Sequence, residues 1–170
     1  MSYVEILILR HLTRRPAHGY ELRKRVEQTV GVLLHNNSLY PALKRFEEAG
    51  AVTRTAEPPE NGRPPRQVYT LTPVGRDLLH DMLAELAPSD AGDDTEFLAR
   101  VGQFSLITAA ERRAVLDARA SALHAQLEHF VQMHALSDDE PWGRVVTEEL
   151  VRRAEEEMAW IGRLRERARS

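Results

Sequence analysis

The first half of this chain is cut by its own helix breakers into short apolar segments, and their order leaves little freedom in how they fold. Residues 3–14 are apolar nearly all round (Val4, Ile6, Leu7, Leu9, Leu12), the pattern of a central, buried helix. Arg14-Arg15-Pro16 ends it, because the residue before a proline is pushed out of the helical region. A second helix is predicted from about His18 to Thr29, with Leu22 and Val26 on one face and Gly31 just past its end. Asn36-Asn37-Ser38 then supplies N-cap candidates for a third helix running to about Ala49. Pro41 is tolerated only in the opening turns, which favours a start at Asn37 or Ser38 over Asn36. Leu39, Leu43 and Phe46 form its inner stripe, and Gly50 closes it.

Residues 51–55 and 67–71 alternate as two strands, joined by Pro58-Pro59-Glu60-Asn61-Gly62-Arg63-Pro64-Pro65, a turn stiffened by its prolines. Thr72-Pro73 starts a further helix, carried by Val74, Leu78, Leu79, Met82 and Leu86 to about Ala87. Three short helices followed by a charged hairpin are the layout of a winged helix-turn-helix, which sets its last helix in a major groove. Residues 88–94 read as a linker. Beyond it come a short helix around Phe97, Val101 and Phe104, and a long helix to Leu136 that opens on a Thr108/Glu111 capping box. A last helix is predicted from about Trp142 to Ala168. The stripes Leu116-Ala120-Leu123-Leu127-Phe130 and Val146-Leu150-Ala154-Met158-Ile161-Leu164 make these two an antiparallel pair or a surface for a second copy. The expected fold is mostly α: a winged helix-turn-helix over residues 1–87 and a helical domain over residues 88–170.

Charge divides the same way. Residues 10–76 hold twelve Lys/Arg against six Asp/Glu, whereas residues 88–170 hold eleven Arg against sixteen acids, so only the first half is suited to phosphate. Asn37 and Ser38 at the start of the third helix, and Tyr40, Lys44 and Arg45 off its inner stripe, are candidates for phosphate and base-edge contacts. Arg63 and Arg66 would reach from the hairpin to an adjacent groove or backbone. The chain has no cysteine, which removes disulfides and thiolate chemistry and fits a reducing cytoplasm. The N-terminal apolar run is short and carries Glu5, so no signal peptide is expected, and no segment has the length to span a bilayer. His124, His129 and His134 recur every five residues, which spreads them around a helix instead of aligning them on a metal. With no phosphate loop and no nucleophile elbow either, neither a cofactor nor an enzymatic activity is expected.

His18-Gly19-Tyr20-Glu21-Leu22, Ser38-Leu39-Tyr40-Pro41-Ala42-Leu43-Lys44-Arg45, Gly50, Tyr69-Thr70-Leu71-Thr72 and Gly75 together resemble the PadR family of bacterial transcriptional regulators, densely over residues 3–87. The tail, with Phe97 and Trp160, resembles the subfamily with an extended C-terminal domain. The resemblance implies a homodimer that binds palindromic operator DNA with its winged helices, most often as a repressor, and that dimerises through its C-terminal helices. Leu123, Leu127, Phe130, Leu150 and Ile161 are then the interface candidates. It also implies release by a small aromatic or drug-like effector, for which Phe97, Phe104 and Trp160 are the candidate lining. Asn36-Asn37 stands where many members have a glycine, which alters the polar groups opening the reading helix. The competing expectations are an activator, or a protein-interaction module that uses the same winged helix without an effector.

Overall fold

The computed structural model of the chain describes residues 2–30, 36–57, 66–136 and 141–168, with the backbone alone at residues 30, 36–38 and 136. It forms two compact units, Met1–Leu83 and Ala84–Ser170.

The first unit is built around α1 (Tyr3–Leu12). Ser2 caps it: the Ser2 hydroxyl accepts from the Val4 amide while Glu5 Oε2 accepts from the Ser2 amide at 2.9 Å, a closed capping box. Ile6, Ile8 and Leu9 have no exposed surface, so the helix is buried nearly all round as its pattern predicts. It packs on α2 (Gly19–Val30) and α3 (Asn36–Glu48). Helix α3 begins at Asn36, ahead of the start predicted from Pro41, and Pro41 lies inside it with its ring exposed.

The C-terminal end of α3 is a Schellman turn. The Ala51 amide bonds back to the Phe46 carbonyl at 2.8 Å and the Gly50 amide to Glu47 at 3.0 Å, with Gly50 at φ +70°. Strands β2 (Val52–Glu57) and β3 (Arg66–Leu71) follow, antiparallel with Val52 opposite Leu71 and Glu57 opposite Arg66. A two-residue strand, β1 (Ala17–His18), joins the other edge of β3, giving the order β1-β3-β2. Sequence patterning ran the second helix through His18, because two residues are too few to show alternation.

Helix α4 (Pro73–Ala84) closes the unit. Thr72 Oγ1 donates to the Gly50 and Ala51 carbonyls and accepts from the Gly75 amide at 3.1 Å, which pins the helix start to the Schellman turn. A Cβ on Gly75 would stand 2.1 Å from the Ala51 carbonyl oxygen, so only glycine fits. The helix ends three residues earlier than its stripe suggested. Leu86, assigned to that stripe, belongs to the core of the second unit, and Val74 is exposed.

The second unit contains α5 (Asp94–Val101), a 3-10 turn at Phe104–Leu106, α6 (Ala109–Leu136) and α7 (Pro141–Arg167). Asp93 caps α5 by accepting from the Thr95 and Glu96 amides. Thr108 and Glu111 form the predicted capping box of α6, with Thr108 N–H to Glu111 Oε2 at 2.7 Å and the Glu111 amide to Thr108 Oγ1 at 3.3 Å. Helices α6 and α7 run antiparallel, tied by Arg165 to Asp117 at one end and His134 to Thr147 at the other. Leu86, Phe97, Val115, Leu116, Leu123 and Ile161 fill the core.

A buried cation organises that core. Arg119 has no exposed surface; its guanidinium bonds both Glu157 oxygens at 2.8 Å, the Ala91 carbonyl at 2.8 Å and the Asp94 carboxylate, and lies 5.5 Å from the Phe97 ring centroid. Burial alone would lower its pKa, but the bonds to Glu157 and Asp94 more than offset this and hold the charge in place. Among the described residues, no helix is long and apolar enough to cross a membrane.

Candidate nucleic-acid interface

Tyr40 and Lys44, one turn apart, project from the side of α3 away from Leu39, Leu43 and Phe46. Tyr40 is 49% exposed, yet its ring is not loose: a Cβ on Gly19 would stand 2.9 Å from Tyr40 Cε1 and 3.4 Å from its hydroxyl. The missing side chain at Gly19, at the start of α2, is therefore the seat of the ring. An amphipathic phenol fixed along one edge and open at the other is suited to hydrogen bonding without a large entropic cost.

The cations of α3 are not equivalent. Lys44 is exposed and, among the described residues, pairs with Glu48, 3.6 Å away across one helical turn, a weak surface pair. Arg45 reaches from α3 to α1, where its Nη2 lies 2.5 Å from Glu5 Oε1. Glu5 is nearly buried while its other oxygen closes the α1 capping box, so Arg45 ties α3 to the central helix. Sequence patterning placed Arg45 off the inner stripe but could not show this partner, forty residues away.

The neighbouring surface is mixed in sign. Arg54 Nε on β2 donates to Glu47 Oε1 at 3.1 Å, and these residues with Tyr40, Lys44, Glu48 and Tyr69 line one open depression. Burial pushes the Tyr69 phenol up, with Arg54 pulling it the other way, so it remains a neutral hydroxyl near pH 7. At the base of the hairpin, Arg66 is exposed opposite Glu57, and His18 sits between the Gln67 carbonyl at 3.3 Å and Glu57 at 3.5 Å. Arg63 and the side chains of Asn37 and Ser38 lie outside the described residues. Tyr20 is a residue that the sequence reading passed over: it is 66% exposed in the first turn of α2. The signal was its place beside Gly19 in the His-Gly-Tyr run.

In the second unit, Leu123 and Ile161 are sealed inside the chain's own core. They hold the unit together and have almost no surface left to give to a second copy. Leu127, Phe130 and Leu150, nearer the far ends of α6 and α7, are only half-buried. Beside them Val131, Trp142, Val145 and Val146 are exposed, Trp142 at 77%. Phe97 is fully buried and meets Trp160 edge-on at 5.9 Å, whereas Phe104 borders an open groove with Val101, Ser105, Arg112, Leu164 and Arg167. Phe97 and Trp160 are therefore core rings, and Phe104 is the member of the three that lines a groove.

Residues 8–81 match the PadR-like family of transcriptional regulators. A PadR family transcriptional regulator from Eggerthella lenta is 32% identical over 47% of this chain and 68% of its own, with a TM-score of 0.41. An uncharacterized 37.1 kDa protein in transposon TN4556 of Streptomyces fradiae is 41% identical over 75 residues, 44% of this chain. The chain spans only 20% of that protein's length. The Bacillus subtilis PadR solved in complex with operator DNA is 20% identical over 98% of this chain and 99% of its own, with a TM-score of 0.47; the same protein has been solved with p-coumaric acid. On the family match and the sequence identity, the chain belongs to the PadR-like family of transcriptional regulators.

Proposed function

We propose that this protein is a cytoplasmic, homodimeric repressor that binds a palindromic operator and leaves it when a small aromatic acid binds, with no enzymatic step. The observation that carries the reading is Tyr40, half exposed and seated on Gly19, with Lys44 one turn further along the same face. In the operator complex α3 enters the major groove. There Tyr40 and Lys44, with Asn37 and Ser38 at its start, supply hydroxyl, amide and ammonium donors. Arg63 and Arg66 reach from the hairpin to the flanking backbone, and Tyr20 adds a second phenol from α2. Arg45 shares its charge between Glu5 and the duplex, and so acts on the poise of the helix as well as on DNA.

Two-fold symmetry places the half-sites about 34 Å or a multiple apart. The second copy meets this one over Leu127, Phe130 and Leu150 and the exposed patch of Val131, Trp142, Val145 and Val146. The groove beside Phe104 suits the effector: an apolar floor from Val101 and Leu164 for a ring, with Arg112 and Arg167 for a carboxylate. Phe97 and Trp160 back that floor. Such a ligand acts only if it binds the released dimer better than the operator-bound one.

The test is fluorescence anisotropy on the chain's own upstream DNA, with wild type and Lys44→Ala at several salt concentrations. Binding that weakens in the variant, with the log–log salt slope reduced by about 0.9, supports the reading. Wild-type protein that prefers no upstream fragment over random duplex overturns it.

A further inference from the structure

The ends of α1 and α2 converge, with His11 Nε2 3.2 Å from Thr29 Oγ1. Around that contact Arg14, Arg15, Arg25 and Gln28 line an open groove, and among the described residues no carboxylate lines it. Arg25 has an acidic partner to one side, Glu21, at a long 3.4 Å. The Arg14 and Arg15 side chains are exposed and make no hydrogen bond or ion pair among the described residues. The contrast with α3 and its neighbour β2 is informative, because there Lys44 is balanced by Glu48 and Arg54 of β2 by Glu47. Among the described residues, the positive charge beside the ends of α1 and α2 is thus less neutralised than that on and beside α3.

His11 records the same charge. Burial first, and then Arg25, Arg14 and Arg10, hold its imidazole below the ordinary histidine value. Guanidinium forks and a side-chain amide lining one groove are donors that match the oxygens of a phosphate group.

We propose that the groove between the end of α1 and the second half of α2 is a phosphate-binding site that grips the backbone of the bound duplex. The inference rests on the operator-binding reading and adds to it a contact surface outside the reading helix and hairpin. DNA is the favoured source of the phosphate because α2 is the first helix of the helix-turn-helix, the one that crosses the backbone. This grip carries no sequence information; it adds affinity and register.

The experiment compares wild type, Arg14→Gln/Arg15→Gln and Tyr40→Phe, as full chains, on a random-sequence duplex and on the upstream DNA. Both arginines are exposed, so circular dichroism should show all three folded alike. The arginine variant should lose affinity for both duplexes, while Tyr40→Phe should lose it for the upstream DNA alone. Between about 50 and 200 mM salt, wild type should lose about 3.5-fold more affinity than the arginine variant for each phosphate contact removed. The His11 ring resonances give an independent readout: duplex should raise the imidazole pKa by neutralising the nearby cations. An arginine variant with unchanged affinity and slope, beside a weakened Tyr40→Phe, overturns the groove and leaves operator binding standing. Loss of DNA binding in wild type itself overturns operator binding. If inorganic phosphate shifts His11 saturably while duplex does not, the site takes a free anion and the backbone assignment is wrong.

Discussion

At the scale of single residues, the candidate interface depends on an atom that is missing. Gly19 leaves room for the Tyr40 ring, and a methyl there would stand 2.9 Å from a ring carbon. Gly19→Ala should therefore tilt Tyr40 and weaken operator binding, because the ring is free to move outward, while costing little stability. Tyr40→Phe keeps the ring and removes only the hydroxyl, so it should fold normally and lose about 0.5–1.5 kcal/mol of binding. Anisotropy titrations beside thermal melts separate the two effects; equal binding by Tyr40→Phe and wild type would make the tyrosine purely structural. Arg119 poses a different case. With Asp94 largely exposed, the partner stranded by Arg119→Met is chiefly Glu157, and the change should cost about 3 kcal/mol in urea unfolding. Replacing Glu157 with leucine as well should recover more than half, since a well-packed apolar pair can substitute for a buried ionic one.

Among the elements, the junction of α1 with α2 has a built-in pH dependence. The unfolded chain protonates His11 near about 6.5, and the folded chain does so only at lower pH. Between those two values the unfolded state holds the extra proton, so the His11 contribution is fully present above about 6.5. It falls away as pH drops through the folded value. The urea midpoint should decline from pH 7.5 towards pH 5.5, and His11→Gln should flatten that part of the curve; an identical decline in the variant would assign it to other groups. The connection from α3 to α4 offers a second test. A methyl on Gly75 meets a backbone oxygen that cannot step aside, so Gly75→Ala should cost at least about 1–3 kcal/mol, the usual range for overpacking. Gly50 has open space around it but a positive φ, so Gly50→Ala should cost only about 1 kcal/mol.

For the whole molecule, the far ends of α6 and α7 are where assembly is tested. A charge placed among Val131, Trp142, Val145 and Val146 should split a dimer without disturbing the monomer's core, because these side chains are already in water. Trp142→Glu should sediment as a monomer, keep the wild-type helical signal and bind a palindromic operator far more weakly. A Trp142→Glu protein that stays dimeric would move the interface elsewhere.

What the sequence determined by itself was local. Helix caps and the Schellman glycine depend on bonds between residues a few positions apart, and Thr108 with Glu111 or Gly50 with Glu47 can be found by spacing. The same spacing identified which side of α3 carries Tyr40 and Lys44. Tertiary structure decided what those side chains meet: Arg45 on Glu5, Tyr40 on Gly19, Arg119 among Asp94, Glu157 and the Ala91 carbonyl. It also decided that Leu123 and Ile161 are spent inside one chain while Trp142 is not. A helical stripe shows that a face is apolar, and only the packed chain shows how much of that face its own neighbours have already covered.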